Sequence, residues 1–172
     1  MSMCGAEVKI LPEGVQRVAQ ALLAKNHAHG PVMLGEACRT AQEAADVLGV
    51  VVGQIAKSII FRRKIDDSAV LVITSGDRRV DEKKVAALVG AVGRADASFV
   101  KNQTGFSIGG VSPIAHSTEP VTLVDKDLFR FDEIWAAAGH PHAVFKLNPR
   151  DLETLARAPV VDVTESLKTL AP

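Results

Sequence analysis

A lysine set inside an apolar run is the first residue whose placement asks for a chemical explanation. Ile55-Ala56-Lys57-Ser58-Ile59-Ile60-Phe61 reads as a strand, and alternation puts Ile55, Lys57, Ile59 and Phe61 on one face. A cation on that face either snorkels at a sheet edge or points into a cleft. In a cleft it would stabilise developing negative charge, or bind a phosphate or carbonyl. A second unusual segment is Gly109-Gly110-Val111-Ser112-Pro113. Adjacent glycines permit backbone conformations and close approaches that side chains forbid, and Pro113 biases Ser112 toward extended geometry. A tight structural turn explains the segment. So does a substrate loop whose backbone N–H groups hold a carbonyl or an oxyanion. Pattern alone leaves both pairs of readings open.

Other catalytic signatures are weaker. There is no Walker A loop. Gly105-Phe106-Ser107-Ile108-Gly109 satisfies G-x-S-x-G, but a nucleophile elbow needs a helix after its serine, and the glycines and Pro113 argue against one. The pairs His27/His29 and His140/His142 lack an H-E-x-x-H arrangement and nearby cysteine ligands. Surface or loop histidines are the simpler reading of them, and no metal site is expected. His140 has one further claim, since the turn-like Gly139-His140-Pro141 can present a side chain to a pocket.

The elements that must position these residues can be read from periodicity and caps. Residues 12–25 place Val15, Val18, Ala19, Leu22 and Leu23 on one helical face. Thr40-Ala41-Gln42-Glu43 is a capping box opening a helix to Leu48, with Gly49 as its stop. Ile55–Phe61 and Ala69–Thr74 read as strands joined by a charged hairpin connection. Helices are expected behind Asp81 and Asp96, and a third behind the N-cap Asn148 with Pro149 at its first position. Strands are expected at Phe106–Ile108, Val121–Val124, Ile134–Ala138 and Ala143–Leu147. A short one at Val160–Val163 precedes a loosely held C-terminus. Strictly alternating βαβ units are missing, so the order of elements fits an α+β domain on a mixed or largely antiparallel sheet.

Composition bounds what such a domain can be. The chain has 172 residues, 47% hydrophobic and 23% charged, enough for one domain with a substantial core. No apolar run approaches the ~18–20 residues that span a bilayer, and Met1–Lys9 lacks the features of a signal peptide. A cytoplasmic protein is expected. Lys plus Arg and Asp plus Glu are 20 each, which excludes a broad basic nucleic-acid footprint and leaves room for local contact with an RNA end. Cys4 and Cys38 are expected to be free thiols.

Taken in order, several segments resemble the YbaK/prolyl-tRNA editing domain family. They are Thr40-x-x-Glu43-Ala44-Ala45 with Leu48-Gly49, Gly53-Gln54-Ile55-Ala56-Lys57-Ser58, and Gly76-Asp77-Arg78-Arg79-Val80-Asp81-x-Lys83-Lys84. Thr104-Gly105-x-x-x-Gly109-Gly110-Val111-Ser112-Pro113, Ala138-Gly139 and Leu147-x-Pro149-x-Asp151-Leu152 complete the set. Each motif is weak alone, and the ordered set, over about residues 12–158, is fairly specific.

The resemblance implies a single compact α+β domain with a mixed, mostly antiparallel, barrel-like sheet flanked by helices. It implies a trans-acting deacylase that hydrolyses the ester of a mischarged tRNA, most often tRNA(Pro), with no cofactor and no metal. The family's characteristic lysine matches Lys57, and its glycine-rich substrate loop matches Gly109, Gly110 and Ser112. An aminoacyl ester is already activated, so a positioned water and oxyanion stabilisation would suffice, with a terminal ribose hydroxyl relaying the proton. The implied partner is the 3′ aminoacyl end of tRNA, with prolyl-tRNA synthetase left open as a second, and neither DNA nor membrane. Gly139, His140, Ala143 and Val144 are expected to shape the substrate pocket. The apolar Ala143-Val144-Phe145 points to a small uncharged side chain such as alanine, cysteine or 2-aminobutyrate. A non-catalytic tRNA- or synthetase-binding module is the alternative.

Overall fold

The computed structural model describes residues 11–35 and 38–166. The expectations for Met1–Lys9, for Cys4 and for the last six residues lie outside them. Helix α1, Glu13–Ala24, buries Val15, Val18 and Leu22, spaced three and four residues apart on one face. Leu23, expected on that face, is 75% exposed, because it lies one 100° step beyond the stripe.

Strand β1, Val32–Met33, precedes α2, Ala41–Leu48. Thr40 caps α2 by accepting from the Glu43 N–H at 3.1 Å, and Gly49 ends it with φ +72°. The capping box is half formed, since the Thr40 hydroxyl donates to the Glu43 carboxylate instead.

Strands β2, Ile55–Arg63, and β3, Ala69–Ser75, form the expected hairpin. Helix α3 spans Glu82–Val89 behind Asp81, strand β4 Val92–Arg94, and helix α4 Ala97–Thr104 behind Asp96. Strand β5, Val121–Asp125, runs into a 3₁₀ turn at Lys126–Arg130. Strands β6, Ile134–Ala137, and β7, Ala143–Leu147, lead to α5, Pro149–Ala156, and then β8, Val160–Val161. Asn148 and Asp151 each accept from the other's backbone N–H at the start of α5. No helix among the described residues is long and apolar enough to cross a membrane.

The sheet order is β1-β7-β6-β2-β3-β5-β8, with β4 added to β2. Pairs β1–β7, β6–β7, β2–β3 and β2–β4 are antiparallel, whereas β2–β6, β3–β5 and β5–β8 are parallel. The sheet is mixed, as expected. It is open, with β1 and β8 as its edges, so the barrel-like description is corrected.

The most deeply buried strand of the sheet is β3, buried at every position. Leu71 and Ile73 join α1, Ile134 and Phe145 in the main core, while Val70 and Val72 pack with Val85, Leu123 and Val163 on the other face. Both faces being covered explains a strand of nearly continuous apolar residues.

Phe106–Ile108, expected as a strand, is irregular instead. Phe106 is 1% exposed, and its N–H bonds the Thr104 hydroxyl at 3.0 Å, so it anchors the end of α4 in the core rather than joining the sheet.

The segment after β8 folds back onto the loop between β3 and α3. Val163 donates to the buried Asp125 carboxylate at 3.0 Å, Asp81 donates to the Val163 carbonyl at 2.8 Å, and Glu165 to the Arg79 carbonyl at 2.8 Å. Residues near the end of the described chain thus brace residues 79–81.

Candidate active site

Lys57 stands opposite Thr74 across β2 and β3, so the two side chains share a face. On its other side β2 is only partly covered. It pairs with β6 at Ile55 and Ala56 and with β4 from Phe61 to Arg63, leaving Lys57–Ile60 without a strand partner there. An open edge in mid-sheet exposes backbone donors and acceptors where a ligand can reach them. Gln54 fixes the start of this gap, donating from its side chain to the Glu133 carbonyl at 2.9 Å.

A cavity of about 310 Å³ lies at that edge. Lys57, Ser58 and Ile59 form its floor, with Trp135 and Ala137 of β6 and Ala143 and Val144 of β7 beside them. Cys38, Thr40 and Ala44 supply a further wall, and Ile108, Gly109 and Pro141 line it from two turns. The lining is mostly apolar with two cations, Lys57 and the exposed Arg39, the usual make-up of a site that orients a small ligand through few polar contacts. The half-buried Lys57 ammonium contacts the Arg78 carbonyl at 3.5 Å and has no carboxylate partner among the described residues. Of its three N–H donors, at least two are uncommitted.

The glycine turn reaches this cavity through Gly109, whose φ of +89° is left-handed, while the Gly110 N–H closes the turn on the Ser107 carbonyl at 2.9 Å. Gly110 has no room for a side chain, since a Cβ would sit 2.8 Å from the His140 backbone. It therefore joins the glycine turn to the 139–141 turn.

Behind them the chain is heavily bonded. The Ser112 hydroxyl, fully buried, accepts from the Ile114 N–H at 3.2 Å, and His116 Nε2 donates to the Ser112 carbonyl at 2.6 Å. Burial depresses the His116 pKa, and its bond to Ser112 opposes that only in part. Arg17 stacks over Phe106 at 4.5 Å and donates to the Thr104 carbonyl at 2.9 Å and the Ala115 carbonyl at 3.1 Å.

Of the residues expected at the site, Lys57, Gly109, Ala143 and Val144 converge on the cavity. Gly110 and Gly139 pack behind it, Gly139 with φ +90° against the Gly14 backbone. Ser112 belongs to the bonded support of the turn. His140 is not on the wall, because its neighbour Pro141 takes that place. Its Nδ1 accepts from the His142 N–H at 3.1 Å, and burial, then the neighbouring His142, lowers its pKa. His142 Nδ1 in turn donates to the Cys38 carbonyl at 2.9 Å, tying this turn to the wall before α2.

Sequence reasoning missed Cys38, Thr40, Ile108, Pro141 and Trp135 as lining residues. Thr40 carries a cap signal that hides a second role. Trp135, the sole tryptophan of the chain, offered the clearest cue.

The chain has relatives among known proteins. Over 126 residues the chain is 33% identical to the uncharacterised protein YwhH of Bacillus subtilis (strain 168), covering 72% of this chain and 80% of that one. It is 30% identical over 124 residues to the multifunctional Ser/Thr-tRNA deacylase ProXp-y of Escherichia coli (strain K12), covering 69% and 74%. A crystal structure of a proposed trans-editing enzyme for prolyl-tRNA synthetase superposes with a TM-score of 0.86 at 38% identity, covering 91% of this chain and 100% of that one. Proline–tRNA ligases match as well, but the chain spans only 19% of the length of the one from Thermoanaerobacter sp. (strain X514). Residues 35–155, which contain the whole cavity lining but Leu34, match the aminoacyl-tRNA editing domain, and the chain belongs to that family.

Proposed function

We propose that the chain is a trans-acting, cytoplasmic aminoacyl-tRNA deacylase that removes a small amino acid from mischarged tRNA, with tRNA(Pro) the first substrate to test. The observation that carries this reading is the Lys57 ammonium, free of carboxylates and set at the edge of an apolar cavity beside the Gly109 turn. The amino acid side chain would occupy the cavity against Ala143, Val144 and Trp135. The ester carbonyl would meet Lys57 and backbone N–H groups of the open edge and the turn. Water adds to the carbonyl carbon, and Lys57 stabilises the oxyanion. The bond to the ribose oxygen then breaks, and that oxygen takes the proton relayed from the water through the neighbouring ribose hydroxyl. Free amino acid and uncharged tRNA leave. Neither a protein nucleophile nor a metal is needed in this scheme, and chelator treatment should leave the rate unchanged.

The apolar walls favour alanine, cysteine or 2-aminobutyrate. Such walls discriminate by only about 1–3 kcal/mol per methylene, so overlapping substrates are expected. Serine and threonine belong in the same test because ProXp-y is a Ser/Thr-tRNA deacylase by name. The test is a panel of tRNA(Pro) and other tRNAs carrying these amino acids and proline. No hydrolysis anywhere in the panel would sink the proposal. A tRNA- or synthetase-binding module predicts instead that Lys57→Ala weakens binding without any turnover to lose. Ser107→Ala should be mild, whereas a serine hydrolase would be abolished by it.

A further inference from the structure

A second groove, of about 530 Å³, lies on the other side of Lys57. Its lining includes Lys57, Thr74, Asp77, Arg78, Arg79 and Glu82, so Lys57 lines two concavities of different character. Within the groove Arg78 and Asp77 are committed: Arg78 bonds Asp77 and Asp127, each at 3.2 Å, and Asp77 bonds Arg130 at 2.9 Å. Burial works to raise the Asp77 pKa, and its bonds to Arg130 and Ser75 outweigh that and hold it low. Exposed Arg79 has no side-chain partner among the described residues, and Glu82 is exposed at the rim.

Thr74 is the telling residue. It is fully buried in a strand otherwise almost wholly apolar, and its hydroxyl has no hydrogen-bond partner. A buried unpaired hydroxyl destabilises, and valine has nearly the same shape, so folding alone does not account for a threonine here. Ser75, next along the strand, is bonded both to the Gly53 carbonyl and to Arg130.

We propose that this groove is a phosphate seat, in which Arg79 and Lys57 contact the non-bridging oxygens of one phosphodiester and the Thr74 hydroxyl donates to it. Resting on the deacylase reading, the phosphate is the one joining the terminal nucleoside of the tRNA to the nucleotide before it. Lys57 then touches the substrate on both sides, ester in one concavity and phosphate in the other. A guanidinium with a hydroxyl donor suits phosphate oxygens.

The direct test titrates isotopically labelled protein with adenosine, 5′-AMP and inorganic phosphate, following the amides of residues 74–80 by NMR. 5′-AMP should bind about tenfold tighter than adenosine, as expected for hydrogen bonds to a charged group, and tighter than inorganic phosphate. Arg79→Gln should cut the advantage over adenosine several-fold, leaving what Lys57 and Thr74 contribute. Equal binding of adenosine and 5′-AMP, or an advantage that Arg79→Gln leaves undiminished, overturns the seat. Inorganic phosphate binding as tightly as 5′-AMP overturns the nucleotide assignment.

In turnover, Arg79→Gln should raise KM about tenfold with kcat unchanged, and reduce the logarithmic salt slope by about 0.7, the loss of one single-strand phosphate contact. Thr74→Val should raise KM while leaving the melting temperature unchanged or higher. A Thr74→Val protein with lower stability and unaltered KM would make the threonine structural and overturn its role. The two readings fail separately: 5′-AMP binding with no hydrolysis rejects the deacylase alone, and hydrolysis with Arg79→Gln unaltered in KM and salt slope rejects the seat alone.

Discussion

The turn from Thr104 to His116 flanks the cavity that Lys57 lines, and the strand pair at Lys57 and Thr74 treats its polar groups in the opposite way. In the turn and against it, the side chains of Ser112, His116, Arg17 and Thr104 all bond nearby backbone groups, so little is left to offer a ligand. In the strand pair, the hydroxyls of Ser58 and Thr74 have no partner and Lys57 has a single long contact. A fully satisfied polar network rigidifies and an unsatisfied one costs stability, so the difference separates the part that holds shape from the part that awaits substrate.

Four experiments can break that division. The largest effect is expected from Lys57→Met, which keeps the stem and removes the charge. Deacylation should fall by about 10²–10³, the usual cost of losing an oxyanion donor, with little change in melting temperature. A large loss of stability with normal residual turnover would move Lys57 to the shape-holding part.

Gly110→Ala is next. Its methyl must displace the His140 backbone, and overpacking of this kind costs about 1–3 kcal/mol, read by denaturant unfolding together with a drop in turnover. Ser112→Ala should cost about 1 kcal/mol of stability by freeing the Ile114 N–H, with kcat changed little. A severe kcat loss at full stability would place Ser112 at the substrate after all.

The smallest effect concerns pH. His116 and His140 both have folded pKa values below the ordinary 6.5. The folded state therefore binds fewer protons than the unfolded one, so their contribution is complete above about pH 6.5 and is lost as pH falls through their folded values. His116→Gln should flatten part of that acid limb. An acid limb unchanged in the variant would show that the loss comes from elsewhere.

Much of the fold could be read because its signals are local. Thr40, Asp81, Asp96 and Asn148 cap the helices expected from them, and the alternation in Ile55–Phe61 places Lys57 on the face it shares with Thr74. What escaped depends on distant pairing. Strands β1 and β4 are two and three residues long and exist through β7 and β2 rather than through any pattern of their own. The same holds at the site. Motif order singled out Lys57 and Gly109, but whether His140 or Pro141 meets the cavity depends on how Gly110 abuts that turn. The gap along Lys57–Ile60 comes from where β6 and β4 stop, which no single segment records.

The brace that residues 163–165 place on residues 79–81 has a bearing on synthesis. Strand β8 adds to β5 only after β6, β7 and α5 have been made, and Arg79 is held by a segment more than eighty residues downstream. A nascent chain can assemble the hairpin of β2 and β3 early, since that pairing is local, but not the brace behind Arg79. The proposed phosphate seat should therefore be completed late, once β8 and residues 163–165 have left the ribosome's exit tunnel.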